Sequence, residues 1–283
     1  MNLLLKYGTI LHNSYFLILT SSQDRRNSEI DSFLVAKMPK PNARVKRSAS
    51  RGRWKKWILI LLVVLLVIPA MQVAVVRFIN PLLTLPMLIE KAGAMFSSRP
   101  KHPLLYHWID LPQIPKMFLE HLWISEDQRF FQHEGFDWKE MDLAVKEAER
   151  KKKPVRGAST ITNQCARSIF LWQSRSWIRK GLESYYTIWM EMLLPKRRIL
   201  ELYPNVIEMG RGIYGVEAAS QHYFGVSARG LTREQSAMLA AVLPNPKGWD
   251  PTKPGRTLRW RQRRILQREQ HANFPDQLLR NAK

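Results

Sequence analysis

The chain of 283 residues is long enough for one sizeable domain with accessory segments and a substantial core. Its formal net charge of +22 predicts attraction to polyanions, so nucleic acid and the anionic face of a membrane are the two candidate partners. The single cysteine, Cys165, excludes an intramolecular disulfide, and the seven histidines show no ligand-like spacing, so no Cys/His metal site is expected.

Residues 1–56 are expected to form a basic, disordered segment on the cytoplasmic side of a membrane. Residues 1–36 have no charge cluster, and Met38, just before the basic run, is an alternative start of translation. Residues 37–56 contain no Asp or Glu, and the positive-inside rule keeps such a segment in the cytoplasm. The cations of this run are Lys37, Lys40, Arg44, Lys46, Arg47, Arg51, Arg53, Lys55 and Lys56.

An apolar stretch without charged residues follows at residues 57–76, with the sequence WILILLVVLLVIPAMQVAVV. Its length matches a helix that crosses the bilayer. A cleaved signal peptide is the alternative, since Ala70 and Ala74 suit a small-residue cleavage site, but the apolar run exceeds the usual core of such a signal. The sequence therefore predicts an uncleaved transmembrane helix, with everything after Val76 on the extracytoplasmic side.

The rest of the chain is expected to form a linker, a domain and a tail. The linker covers residues 77–103, where prolines make long helices improbable except between Met87 and Phe96. A mainly helical domain follows at residues 104–270, and residues 271–283 form the tail.

The domain shows helical periodicity and little sign of β-structure. Apolar residues recur at helical spacing from Ile114 to Ile124 and predict a helix that delivers Glu126 and Asp127 at its end. An arginine-rich last helix is expected over residues 255–270, and no β-alternation is visible beyond short fragments. Helix starts are indicated by side chains suited to capping a first turn: Asp137 with Glu140, Ser159 or Thr160, Ser176, and Thr232 with Gln235.

Glu126 is a candidate catalytic base. It lies four residues before Phe130 and seven before His133, so the three side chains can share one side of a helical or turn-rich segment. An isolated Glu is usually a solvated surface acid. A carboxylate beside the rings of Phe130 and Phe131 would be partly desolvated, which favours its neutral form and makes it a stronger base.

Glu183 is the second candidate acid. It lies four residues after Arg179 and three after Lys180, a spacing typical of surface ion pairs worth about 0.2–0.5 kcal/mol. The additional cations Arg167 and Arg175 favour instead a cradle for a diphosphate. A hydroxyl cluster lies upstream at Ser159, Thr160 and Thr162. Two acids among cations and hydroxyls suit the transfer of a sugar from a diphosphate leaving group.

Five ordered motifs between about residues 104 and 270 resemble the peptidoglycan glycosyltransferase family, the transglycosylase module of penicillin-binding proteins. No penicillin-binding domain follows, so the resemblance is to the monofunctional biosynthetic branch. The first three motifs are Glu126-Asp-x-x-Phe130-x-x-His133-x-Gly135, Gly157-Ala-Ser159-Thr160-Ile161-Thr162-x-Gln164 and Arg179-Lys180-x-x-Glu183. The last two are Lys196-x-x-Ile199-Leu200-Glu201-x-Tyr203-x-Asn205, with the glycines Gly210, Gly212 and Gly215, and the segment from Glu234 to Pro246.

The resemblance implies a lysozyme-like helical domain behind one transmembrane helix of the bacterial inner membrane, and an enzyme that polymerises lipid II. Glu126 then corresponds to the base that deprotonates the acceptor sugar, and Glu183 to the acid that organises the donor diphosphate. No cofactor is required by this resemblance, which allows a divalent cation, Mg or Mn, at the diphosphate. The expected partners are lipid II, the growing glycan strand, the membrane and other cell-wall synthesis proteins. The substrate-binding positions carried over are Asp127, Ser159, Gln164, Arg167, Arg175 and Lys180.

Three residues depart from the family pattern. Asn163 replaces a glutamine, Arg167 replaces a lysine, and Pro204 lies where it would end or kink a helix. None removes a catalytic acid, so we expect them to affect substrate affinity more than reaction type.

Two alternatives remain open. A lysozyme-like hydrolase or lytic transglycosylase would also use a catalytic Glu, but cleavage of a neutral glycoside does not need a diphosphate cradle. A membrane-tethered nucleic-acid binder would use the amino-terminal cations and the arginines after Arg256, but such runs beside a transmembrane segment are more often solvated or lipid-facing.

Overall fold

The computed structural model describes residues 53–96, 103–152, 154, 157–174 and 176–275. These residues are mainly helical, as expected. The helices are α1 (Arg53–Phe78), α2 (Leu85–Phe96), α3 (Lys116–Glu126), α4 (Trp138–Lys151), α5 (Ile161–Phe170), α6 (Trp177–Leu193), α7 (Lys196–Val206), α8 (Val216–Phe224), α9 (Arg233–Val242) and α10 (Arg256–Glu269). The strands are β1 (Leu105–Tyr106), β2 (Glu208–Gly210) and β3 (Ile213–Tyr214).

Helix α1 contains the expected transmembrane stretch and extends it at both ends. Among the described residues it is the one helix that is long and apolar enough to cross a membrane. The chain divides between Trp57 and Ile58, and the described residues of the second unit, 58–283, are compact. Within the second unit the Tyr185 hydroxyl donates to the Leu65 carbonyl over 2.9 Å, and Arg198 Nε donates to the Val76 carbonyl over 2.9 Å. These bonds attach α6 and α7 to the later part of α1.

Two groups of helices build the core. Helix α5 packs between α6 and α7, and α9 packs on α3 and α10. The first group buries Ile161, Cys165 and Leu200 completely. Burial of an aliphatic side chain stabilises a fold by about 1.5–3 kcal/mol, so these apolar faces hold the helices in place.

The capping expectations are confirmed. Asp137, Thr160, Ser176 and Thr232 each accept a hydrogen bond from a first-turn backbone N–H. Of the two residues considered for the start of α5, Thr160 is the cap. Because each cap satisfies a backbone donor that the helix itself leaves without a partner, the starts of α4, α5, α6 and α9 are fixed locally.

A small three-stranded sheet packs against α8. Its strand order is β1-β3-β2, with β1 parallel and β2 antiparallel to β3. Gly215 follows β3 with φ of 84°, and a Cβ there would lie 2.5 Å from the Asn205 carbonyl oxygen. Only glycine fits this position, because it alone tolerates both the positive φ and the close backbone approach.

The regions beside the expected domain boundaries pack on the domain. In α2, Met87 is fully buried, and Glu90 Oε2 accepts a hydrogen bond from the Tyr214 hydroxyl over 2.7 Å. In the expected tail, Phe274 packs edge-on against Trp123 with ring centroids 5.6 Å apart. The expectations for residues 1–52, including the start at Met38, and for residues 276–283 lie outside the described residues.

Candidate active site

Helix α3 delivers Glu126 to the wall of a cleft of about 630 Å³. The helix is fixed by Phe118 and Leu122, both fully buried, and it ends at Glu126 because Asp127 has an extended backbone, with φ of −164°. The cleft is also lined by the loop 157–160 and by arginines of α10.

One oxygen of Glu126 is held by a buried hydrogen-bond relay. Gln164 Nε2 donates to Glu126 Oε2 over 2.8 Å, and the Tyr203 hydroxyl donates to Gln164 Oε1 over 2.8 Å. Tyr203 is fully buried and Gln164 is 8% exposed. The amide orientation is therefore set by Tyr203, because the phenol proton can be donated only to the amide oxygen.

The other oxygen of Glu126, Oε1, is buried and has no hydrogen-bond partner among the described residues. Arg261 Nη2 lies 3.9 Å from it. Burial raises the pKa of the Glu126 carboxyl above its usual value, while the Gln164 hydrogen bond and the Arg261 charge partly offset that rise. Such a group suits a general base, because proton affinity rises with pKa.

Asp127 ties two motifs together. His133 Nε2 lies 3.0 Å from Asp127 Oδ1, and the Ile161 N–H donates to Asp127 Oδ2 over 3.1 Å. Because α3 stops at Glu126, the segment that carries Phe130 and His133 is turn-rich, with a short 3-10 helix at Phe130–Gln132. In this segment His133 contacts Asp127. Asp127 lines the cleft, but its two carboxylate oxygens are engaged by His133 and by the Ile161 N–H.

The structure brings together one ligand-type atom each from Asp127, His133 and Asp137, within 4.8 Å of one another. No spacing pattern in the sequence indicates this cluster. Asp127 and His133 bond to each other, while Asp137 caps α4 and lies 3.4 Å from Arg129 Nη1. These contacts explain why the three side chains lie together, since they connect the motif that contains Asp127 and His133 to the start of α4.

Glu183 is 1% exposed and therefore not an ordinary surface acid. Its Oε2 pairs with Arg179 Nη1, and its Oε1 lies 2.5 Å from Lys180 Nζ. Lys180 Nζ also donates to Ser159 Oγ over 3.4 Å, and Ser159 lines the cleft. Glu183 does not line the cleft itself, but it holds a lysine ammonium at the cleft's rim.

The other residues singled out from the sequence are Arg167, Arg175, Asn163 and Pro204. Arg167 on α5 acts on the carboxyl of Glu126, where burial raises the pKa and the Arg167 charge is among the smaller effects lowering it. Arg175 lies outside the described residues. Asn163 is buried and its Nδ2 donates to Thr187 Oγ1 over 2.8 Å, so this departure affects an internal contact. Pro204 lies in the last turn of α7, which ends at Val206.

A divalent cation does not fit at Glu183. Both carboxylate oxygens are already paired with the cations Arg179 and Lys180. A metal ion would have to displace Lys180 and would lie beside a second positive charge, which Coulomb repulsion disfavours.

Sequence reasoning missed the side chains that reach the site from distant helices. The sequence identifies Tyr203 only as part of a motif, and Arg261, Arg264 and Arg268 only as members of an arginine-rich helix. The three arginines are spaced three and four apart, which places them on one helix face. That spacing was the available signal.

A family model described as transglycosylase matches residues 94–270. The chain belongs to the transglycosylase family. The helical, lysozyme-like domain expected from the motifs is thereby confirmed, and the match begins inside α2. Three similar proteins carry the name biosynthetic peptidoglycan transglycosylase. One from Xylella fastidiosa (strain 9a5c) is 44% identical over 74% of this chain and 86% of its own length. One from Bdellovibrio bacteriovorus is 42% identical over 77% and 88%, and one from Acinetobacter baumannii (strain SDF) is 42% identical over 63% and 80%.

Proposed function

We propose that this transglycosylase-family chain polymerises lipid II into β-1,4-linked glycan strands and releases undecaprenyl diphosphate. The observation that carries the proposal is the cleft: Glu126 has a raised pKa because it is buried, and a lysine ammonium lies at the rim beside Ser159. The names of the similar proteins supply the substrate class, peptidoglycan.

In the proposed reaction, Glu126 Oε1 accepts the proton of the acceptor's 4-hydroxyl, since that oxygen has no other hydrogen-bond partner among the described residues. The hydroxyl oxygen forms a bond to the donor's anomeric carbon, with inversion, as the bond to the diphosphate breaks. The leaving group takes the electron pair as negative charge. Lys180 and Ser159 stabilise that charge, and Glu183 keeps the lysine in place.

We propose that this reaction needs no metal held by the protein. The cations at Glu183 already supply positive charge where the leaving group is expected. Treatment with a chelator should therefore leave the polymerisation rate of the full-length chain unchanged. A rate that falls with chelator and returns with Mg or Mn would contradict this.

We further propose that α1 is a single-pass anchor in the bacterial inner membrane, with the domain on the extracytoplasmic side. The support is the apolar helix together with the cations that precede it. Reporter fusions placed after Val76 should be active only in the extracytoplasmic compartment.

The central test is polymerisation of lipid II in detergent micelles by the full-length protein and by Glu126→Gln. Loss of a general base typically lowers a rate by about 10²–10⁴-fold. Glu134→Gln is the matched control, because Glu134 is an exposed acid of the same motif. Near-normal polymer from Glu126→Gln would refute the assignment. Soluble short fragments from preformed glycan, without polymer, would favour the hydrolase.

A further inference from the structure

Helix α10 presents one arginine face to the cleft. Arg261, Arg264 and Arg268 all line it, together with Glu126. Their spacing of three and four residues places them on one side of the helix. Leu258 and Ile265 are 1% and 4% exposed and fix α10 against the core. The arginine face is thus positioned by a packed helix.

This face begins beside the reacting carboxylate. Arg261 Nε donates to the Ala241 carbonyl over 3.1 Å, which fixes the guanidinium, and its Nη2 lies 3.9 Å from Glu126 Oε1. At 1.5 Å of rise per residue, the face extends about 10 Å from Arg261 to Arg268. The charges therefore form a row that leads away from the base.

Arg264 is the middle arginine of this face. Arg264 is exposed and its guanidinium lies 4.8 Å from the ring centre of Trp260. Within the described ranges, no carboxylate lies within 4 Å of this guanidinium. A flat, exposed guanidinium stacked on an aromatic ring is well suited to bind a phosphate group in a bidentate manner.

The cleft thus has two separate groups of cations. Lys180 reaches the rim from α6, which packs on α5, whereas the arginine face comes from α10, which packs on α3 and α9. The diphosphate that leaves the donor accounts for only one of these groups, the one that contains Lys180. The proposed reaction, however, joins two lipid-linked diphosphates, since the acceptor keeps its own diphosphate while the donor loses it.

We propose that Arg261, Arg264 and Arg268 form the site for the diphosphate that the acceptor lipid retains. This inference rests on the proposed function. The length of the row is on the scale of the two sugars that separate the acceptor's reacting hydroxyl from its diphosphate.

The test compares Arg264→Gln with Arg263→Gln in the full-length protein. Arg263 is an exposed arginine of the same helix that does not line the cleft, so it controls for charge and helix propensity. A preassembled lipid-linked tetrasaccharide is supplied in excess as donor, and the rate is measured against the concentration of lipid II as acceptor. We expect Arg264→Gln to raise the KM for the acceptor about tenfold, as for loss of one charge-assisted hydrogen bond, with a smaller change in kcat. Arg263→Gln should match the wild type.

A second acceptor distinguishes the diphosphate from the other anions of lipid II. Lipid II with an amidated stem peptide lacks the peptide carboxylates but keeps the diphosphate. The same rise in KM with both acceptors supports the inference, and a rise confined to the unmodified acceptor overturns it. Equal KM values for the Arg263 and Arg264 variants also overturn it, even if Arg264→Gln lowers the melting temperature.

Arg264→Lys provides an independent check, because it keeps the charge and loses the planar fork. It should fall between the wild type and Arg264→Gln in KM. A wild-type protein that makes no polymer would refute the proposed function itself, whereas active variants with unchanged KM would refute only the acceptor site.

Discussion

Replacing Tyr203 with phenylalanine tests whether the buried relay controls the catalytic base. The change removes one hydroxyl that donates to Gln164 Oε1 over 2.8 Å and leaves that oxygen buried without its partner. An unsatisfied buried acceptor costs about 1–3 kcal/mol of unfolding free energy. For a domain of this size, each kcal/mol lowers the melting temperature by about 2–4 °C.

The same substitution should change the pH dependence of polymerisation. Without Tyr203 the Gln164 amide is no longer oriented, and its hydrogen bond to Glu126, which lowers the pKa of that carboxyl, weakens. The pKa of Glu126 then rises further, so the carboxylate is protonated at higher pH. Because the base works deprotonated, the acid limb of kcat/KM should move to higher pH.

Rates measured across a pH series, with melting curves at each pH, check both effects. Tyr223→Phe is the matched control, since its hydroxyl donates to the Met209 carbonyl over 3.2 Å and it lines a different cavity, with Arg211 and Trp249. It should lose stability without moving the acid limb. An unmoved limb in Tyr203→Phe, despite the lower melting temperature, would refute the relay.

Three further predictions concern Glu126, Glu183 and Gly215. Glu126→Gln should raise the melting temperature above that of the wild type at pH 8. Folding raises the pKa of the Glu126 carboxyl, so the wild-type protein loses stability as the pH rises through that pKa, and the variant does not. The gain should vanish below pH values of about 4.5, the usual pKa of the group, and a gain that persists there would contradict the explanation. Glu183→Gln should lower the free energy of unfolding by about 3 kcal/mol, because it leaves two cations without their buried carboxylate; denaturant titration measures this, and a loss under 1 kcal/mol would count against it. Gly215→Ala should lower the free energy of unfolding more than Gly225→Ala in the same titration. Both substitutions impose dihedral strain of about 1–3 kcal/mol, but only an alanine at position 215 also clashes with a backbone carbonyl. Equal losses would show that this clash relaxes.

The helices were predictable from sequence because their signals are local. The Thr232 and Gln235 pair defines the start of α9 within four residues, and apolar periodicity predicts the end of α3 to within one residue of Glu126. The packing of α2 on the domain was not visible, because prolines around Leu85–Phe96 resemble a linker and the burial of Met87 depends on contacts with distant parts of the chain.

The site was predictable as a set of motifs but not as a geometry. Gln164 is 38 residues from Glu126 and 39 from Tyr203, so no local pattern shows that the three share one hydrogen-bond chain. The aromatic pair was expected to desolvate Glu126. In the structure Phe130 is fully buried, and Lys196 Nζ lies 4.4 Å from its ring centre.

The distribution of the arginines argues against the nucleic-acid alternative more strongly than the net charge does. A polyanion of regular charge spacing is bound by a continuous exposed row of cations. On α10 the arginines divide between faces: Arg261 and Arg264 point into the cleft, while Arg259 Nε donates to the Pro254 carbonyl over 2.9 Å. Cations that line a cleft beside a carboxylate base suit a small anion at a defined position, because a wide duplex backbone cannot enter a cleft of about 630 Å³.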